Sequence, residues 1–358
     1  MRPTWLEIDL AALGHNLRLL AGRAPGARII AVVKANAYGH GAVPLAKFLR
    51  ERQGVGMFAV ATGDEGAELR RGGLDEPVLL LGALHPQDAG DAARFGLTPT
   101  LVTPEAARAF AAARPGGGVQ IKVDSGMGRV GVAPASLAPF VAEVEALGLN
   151  IEGIYTHFAV ADENAGETRR QLEIFLEAVR ALPRRYPLHA ANSAAILAGI
   201  GTNLDFVRPG IALYGLPPDM HNLQGLEPVL SWKARPTLVK RLPEGHGVGY
   251  GLTYRAREDE WIATLPFGYA DGFSRALSGS GWVRWRRGYA PVAGRVSMDQ
   301  VTVSLNGPAD LNEVFEVVTP DLDAKTSLTG RARSLNTIHY ELATALGARL
   351  PRRYREEG

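Results

Sequence analysis

Between Ile29 and Val207 the chain repeats one pattern eight times: a short apolar run rich in β-branched residues, then a stretch with helical spacing. The runs are Ile29–Val33, Val55–Val60, Val78–Leu81, Leu97–Val102, Val119–Val123, Ile151–Tyr155, Leu188–Ala190 and Phe206–Val207. Continuous apolar runs of this length read as strands buried on both faces. The helical stretches between them include Val43–Arg50, Gly63–Arg71, Pro86–Phe95, Pro104–Ala113, Ser136–Leu147, Glu167–Ala181 and Ser193–Gly199. Strands that alternate with helices pair in parallel, and eight such units predict a closed (β/α)8 barrel of the TIM type. A doubly wound open sheet is the competing arrangement. The absence of G-x-G-x-x-G after the first run counts against it.

From about Leu226 the helical periods stop. Alternating runs appear instead, at Thr237–Arg241, Trp261–Leu265, Val283–Arg286, Val301–Leu305 and Val314–Val317, punctuated by Gly and Pro. One late helix is predicted over Asn336–Leu346. The expected architecture is therefore α/β: a barrel over residues 1–225 followed by a mostly-β domain over 226–358. Thr4–Leu10 alternates as a strand ahead of a helix at Ala11–Ala21, and is a candidate to pair with the second domain.

Composition narrows the function. A formal net charge of +2 in 358 residues gives no electrostatic footprint for nucleic acid. Cysteine is absent, which excludes disulfides and thiol chemistry, and no metal site is expected. The start, MRPTWLEIDL, has acids where a signal peptide needs an apolar core, and no window reaches transmembrane length. A cytoplasmic protein with no membrane partner is the expectation.

In a barrel of this kind the working residues stand at the carboxyl ends of the strands. Those ends can be read off. The first gives Lys34, one of only six lysines. The fifth gives Lys122, then Arg129 in the loop KVDSGMGRVG. The sixth gives His157, the seventh Asn192 and Ser193, the eighth Arg208 with Gly210 and Ile211 after it. A lysine ending a buried strand is partly desolvated, so its neutral, nucleophilic amine is favoured; taken alone it could equally be a surface lysine. Loops after the last two strands commonly bind phosphate through backbone N–H groups at short helix starts. Ser193 opens such a helix, which also makes it a plain N-cap candidate. His157 alone reads as well as a structural histidine, and Arg208 as a rim arginine paired to an acid.

The stretch AVVKANAYGHG, together with KVDSGMGRVG, YTHFAVADE, NSAA, VRPGIALYG, GYGLTY, GYADGF, GRVSMDQ and TIHYE, closely resembles the alanine racemases, pyridoxal-phosphate (PLP) enzymes of fold type III. The resemblance runs from about Thr4 to Arg353. It implies that Lys34 carries PLP as a Schiff base and serves as one catalytic base. It implies Tyr38, Ser193, Gly210, Ile211 and Tyr340 at the phosphate, with Asn192 beside them. His157 would pack by the cofactor ring, and Arg208 would donate to the pyridine nitrogen. An arginine does not surrender its proton there, so a carbanion is delocalised less into the ring, favouring return of the proton at Cα over transamination. Inverting Cα needs a second base on the opposite face, and the resemblance gives that role to Tyr250 of the partner subunit in a homodimer with shared sites. Without the resemblance, a tyrosine in a Gly-rich turn is as readily a packing residue. Arg129, and the backbone N–H of Met298 from the partner subunit, would hold the substrate carboxylate. Lys122 matches a lysine that some members carbamylate to steady the arginine. Asp162, Tyr269, Arg275 and Arg295 match residues along the substrate's access path. The implied reaction is interconversion of L- and D-alanine, supplying D-alanine for peptidoglycan. The alternatives are a broader amino-acid racemase, a decarboxylase on the same barrel, or a non-catalytic PLP-binding protein. Such decarboxylases use a cysteine that this chain lacks, and a carrier needs neither Tyr250 nor the second domain.

Overall fold

The computed structural model describes residues 2–221 and 223–356. Its chain divides into two compact units, residues 14–226 and residues 1–13 with 227–358.

The larger unit is the barrel. Its strands are Arg28–Ile29 with Ala31–Val32, then Phe58–Val60, Val78–Ala83, Thr98–Leu101, Gly118–Lys122, Asn150–Tyr155, Leu188–Asn192 and Phe206–Arg208. All neighbouring pairs are parallel. The first strand is interrupted at Ile30, and its two halves serve different neighbours. Arg28–Ile29 pairs with the last strand and Ala31–Val32 with the second, which closes the ring. The eight apolar runs are thus the eight staves. Ile30, Val33, Phe58, Val78, Ile121, Ile154 and Val207 are wholly buried, as strands covered on both faces must be. Helices start where the sequence supplies caps. Thr62 and Glu65 form a capping box at Gly63–Arg71, and Thr103 caps Pro104–Ala113, which has Pro in its first turn. Helix ends fall within a few residues of expectation. Ala165–Arg180 starts two residues early because Asn164 is its cap.

The second unit is sheet-rich. A six-stranded sheet runs in the order Gly288–Pro291, Trp282–Trp285, Phe315–Val318, Leu230–Ala234, Thr4–Asp9, Arg352–Arg355. Thr4–Asp9 pairs antiparallel with Leu230–Ala234. A three-stranded sheet joins Leu238–Leu242, Glu260–Leu265 and Val301–Leu305. The expected helix over Asn336–Leu346 is not continuous. Leu328–Leu335 is a helix that sequence reading missed, Asn336 ends it in a left-handed cap (φ 52°), and a second helix runs over His339–Thr344. Asn is among the residues that adopt this conformation most readily, so it stops one helix rather than starting another.

Candidate active site

Lys34 follows Val33 at the carboxyl end of the first strand. Ala35, Asn36, Ala37 and Tyr38 after it all have φ of 51–52°. They form a turn of left-handed helix built without glycine, where a loop was expected. That conformation costs roughly 1–2 kcal/mol per residue, so the surroundings must over-determine it. The N–H of Ala37 donates to the Val33 carbonyl at 2.8 Å and that of Gly39 to Ala35 at 2.9 Å. Asn36 Oδ1 accepts from the Ala42 N–H at 2.8 Å, and Glu65 Oε1 accepts from the Ala35 N–H at 2.6 Å. The turn buries Tyr38, with its ring 5.1 Å from that of Tyr214 and 6.0 Å from Lys34 Nζ. Tyr214 in turn donates to the Val32 carbonyl at 2.8 Å.

Around Lys34 the rim is cationic. Burial, then the charge of Arg129, push the Lys34 amine below its ordinary value, with Glu65 acting the other way. Lys122 is 5% exposed; burial first, then Arg129 and Arg208, bring its pKa down to about 8. Among the described residues none of Lys34, Lys122, Arg129 and Arg208 forms a salt bridge with a carboxylate. Arg129 is exposed in the loop 124–131. That loop is shaped by Asp124 Oδ1, which accepts from the Gly126 and Gly128 N–H groups at 3.0 Å each.

Arg208 is buried and held from several sides. It donates to His189 Nδ1, to the Thr156 carbonyl at 2.7 Å and to the Ala190 carbonyl at 2.9 Å; His157 Nδ1 lies 3.4 Å away. Because His189 Nδ1 accepts, its Nε2 carries the proton and donates to Gln120 Oε1 at 2.7 Å. The guanidinium also lies 5.0 Å over the Tyr155 ring, a cation–π contact. Burial lowers its pKa to about 10, below the value above 12 that an exposed arginine keeps, yet it stays charged at neutral pH. Burial and Arg208 push both His157 and His189 well below their ordinary value, so both are neutral.

The phosphate side is built on Ser193. Its Oγ accepts from the N–H of Gly210 at 2.9 Å and of Ala212 at 3.2 Å, which leaves the hydroxyl proton to donate outward. Asn192 Oδ1 caps the same short helix through Ala195 N–H at 3.0 Å. A Cβ at Gly210 would stand 2.6 Å from Tyr38 Oη, so only glycine lets this backbone meet the phenol. Ile211 is buried directly after it. A hydroxyl, a phenol raised in proton affinity by burial and then by Glu65, and backbone beside a 3₁₀ turn make a donor set that fits a phosphate. The neighbouring desolvated lysine fits an aldehyde, so the residues present suit PLP. Asp162 is exposed beyond His157, and no observation brings its side chain to this cluster.

The remaining expected residues lie in the second unit. Tyr250 is 72% exposed between Gly249 (φ 69°) and Gly251 (φ 72°). The Arg295 guanidinium packs against Gly251, where a Cβ would approach it to 3.2 Å. The Tyr269 and Ala270 N–H groups donate to the Ser297 and Met298 carbonyls at 3.1 and 3.2 Å, which ties the Tyr269 and Met298 segments together. Ser278 Oγ donates to the Arg275 carbonyl at 2.6 Å and accepts from the Val296 N–H at 3.0 Å. Tyr250, Tyr269, Arg275, Arg295 and Met298 thus belong to connected loops. Tyr340 is half-buried in the helix His339–Thr344.

Sequence reading missed the supports: Glu65, Gln120, Tyr155, His189 and Tyr214 in the barrel. It also missed Asp271, fully buried between Arg2 (2.8 Å) and Arg349 (3.1 Å). Gln120 and Lys122 stand two apart on one strand, and that spacing is the one available signal that both face the barrel interior.

The alanine racemase N-terminal domain model matches residues 8–218 and the alanine racemase C-terminal domain model residues 229–354. The alanine racemase of Desulforamulus reducens is 43% identical over 369 residues, covering 98% of this chain and 99% of that protein. The crystal structure of alanine racemase from Bacillus anthracis superposes with a TM-score of 0.92 at 36% identity, covering 100% and 96% of the two chains. Histidine racemase from Leuconostoc mesenteroides shares the fold with a TM-score of 0.90 at 29% identity, covering 99% and 98%. With both domain models matched along nearly its whole length, the chain belongs to the alanine racemase family.

Proposed function

We propose that this chain interconverts L- and D-alanine with PLP held at the barrel rim, and that two chains share each site. One observation carries the reading: a half-buried lysine of depressed proton affinity stands near Lys122, Arg129 and Arg208, and among the described residues none of these four forms a salt bridge with a carboxylate. A phosphate and a substrate carboxylate supply the missing anions.

Lys34 would hold PLP covalently. Ser193, Asn192, Tyr38 and the Gly210–Ile211 backbone, with Tyr340, would hold its phosphate; His157 would flank the ring and Arg208 face its nitrogen. PLP, once bound, withdraws electrons from the substrate Cα and makes its proton acidic. Lys34, released from the cofactor once the substrate's amine takes its place, would take or return that proton from one face. Tyr250 of the partner subunit takes or returns it from the other. Arg208, fixed by His189 and neighbouring carbonyls, keeps its own proton throughout. Arg129 and the backbone N–H of the partner subunit's Met298 would orient the substrate carboxylate, and Asp162, Tyr269, Arg275 and Arg295 would line the approach. At pH 7 about a tenth of Lys122 is neutral amine, the form that takes up CO2, loses a proton and becomes an anion beside Arg129. The exposed side chains of Tyr250, Leu252, Tyr269 and Met298 form apolar surface suited to a second copy. No described helix is long and apolar enough to cross a membrane. The family resemblance supports a cytoplasmic enzyme supplying D-alanine for peptidoglycan.

The test is to reduce the purified protein with borohydride, map the labelled lysine and follow L-alanine by chiral analysis. A label on Lys34 with equimolar L- and D-alanine at equilibrium is expected. A label on another lysine, or PLP uptake without inversion, would refute the reading.

A further inference from the structure

Glu65 has no part in the chemistry proposed above, yet it is tied to the lysine's own backbone. Its carboxylate spans two strand ends. Oε1 accepts from the Ala35 N–H at 2.6 Å, and Oε2 from the Ala61 N–H at 2.7 Å and the Thr62 N–H at 3.2 Å. Ala35 is the residue after Lys34 and the first of the four left-handed residues. Ala61 directly follows the strand Phe58–Val60, which pairs with Ala31–Val32. A helix-capping glutamate needs only the bond back to its own N-cap. The bond to Ala35, thirty residues away in sequence, is extra.

We propose that Glu65 is a positioning residue for Lys34: it clamps the Ala35 amide, holds the left-handed turn in place and so fixes where the lysine side chain leaves the strand. The geometry makes this the clamp at the start of the turn, since the other bonds around it act on Ala37, Gly39 and Ala42. Its charge has a second consequence. It favours the charged form of Lys34, against burial and Arg129. Removing the charge therefore makes the amine easier to deprotonate while loosening its aim. A helix cap alone would do neither.

The inference rests on Lys34 being the attachment point, which borohydride mapping of the wild-type chain tests separately. The experiment uses the full-length chain freed of PLP. The rate of PLP attachment is followed by absorbance across pH 6–10 for wild type, Glu65→Gln, Glu65→Asp and Thr62→Ala. For Glu65→Gln the expected result is a plateau at high pH lowered about tenfold, with the midpoint moved to lower pH. Glu65→Asp keeps the charge but is one methylene too short to reach both strand ends, so its plateau falls while its midpoint stays. Thr62→Ala weakens the helix cap alone; it lowers the melting temperature and leaves both plateau and midpoint unchanged. Should Glu65→Gln fail to fold, the Glu65→Asp plateau decides. Attachment kinetics within twofold of wild type in the folded Glu65 variants, with only the melting temperature changed, would overturn the proposal and leave Glu65 as a cap. Wild-type label on a different lysine would instead remove the reading beneath it.

Discussion

The barrel rim and the loops around Tyr250 handle their polar groups in opposite ways. At the rim, Lys122 and Arg208 are buried and Lys34 is half-buried; all three are depressed in proton affinity, and Arg208 is braced by hydrogen bonds to His189 and the Thr156 and Ala190 carbonyls. In the second unit, Tyr250 and Met298 are 72% and 51% exposed, on loops held by backbone bonds but with their side chains turned to solvent. Burial tunes a group only where something covers it. On the proposed reading, the rim is prepared within its own chain to hold a cofactor, and the loops would join an enclosed site only when another surface covers them. One chain would then contain a cofactor holder and half of a catalytic apparatus.

The largest effect tests the rim. Lys34→Ala should abolish covalent PLP uptake and lower racemisation by roughly 10⁴-fold or more; spectra and turnover check both. Next comes the loop side. Tyr250→Phe should retain the PLP spectrum and lose roughly 10²–10⁴-fold in turnover, more severely for proton abstraction from L-alanine. Equal loss of PLP in both variants would erase the contrast between holder and exposed base.

A third effect is smaller and belongs to the rim alone. Lys122 is about 8 in the folded chain and near 10.5 unfolded. Between those values the unfolded chain binds the extra proton, so stability rises with pH across that window. Below pH 8 both states are protonated and the folded chain carries the full penalty. Lys122 should contribute an increase of about 2 kcal/mol from pH 8 to 10 in CO2-free buffer, and Lys122→Met should flatten it in urea denaturation. The smallest effect is expected at Met298. Its backbone is the proposed contact, so Met298→Ala should change KM by less than about threefold.

The same contrast decides what could be read before any coordinates. The barrel was legible because eight doubly buried strands leave eight uninterrupted apolar runs. Its rim residues were legible because each ends a run. Thr4–Asp9 alternated clearly, and its antiparallel pairing with Leu230–Ala234 is the register such a strand can adopt. What stayed hidden has a physical cause in each case. Asn36 and Gly39 announce a break after Lys34, but nothing local states that four residues will turn left-handed, because the bonds enforcing it come partly from Glu65. His189 and Gln120 are polar residues inside apolar runs. Their role exists only once two strands are side by side. Asp271 pairs with Arg2 and Arg349, at opposite ends of the chain, a distance no motif spans. Asn336 reads as a helix start by type and works as a helix stop by backbone conformation.

The most direct measurement of shared sites is to mix Lys34→Ala with Tyr250→Phe chains, unfold and refold them together, and assay racemisation. In a mixed pair, one site receives both substitutions and the other receives neither. Random pairing should therefore restore about a quarter of wild-type activity from two nearly inactive parents. If the lysine and the phenol of each site came from the same chain, no mixed pair could hold an intact site, and activity remaining at the parental level would contradict the shared arrangement.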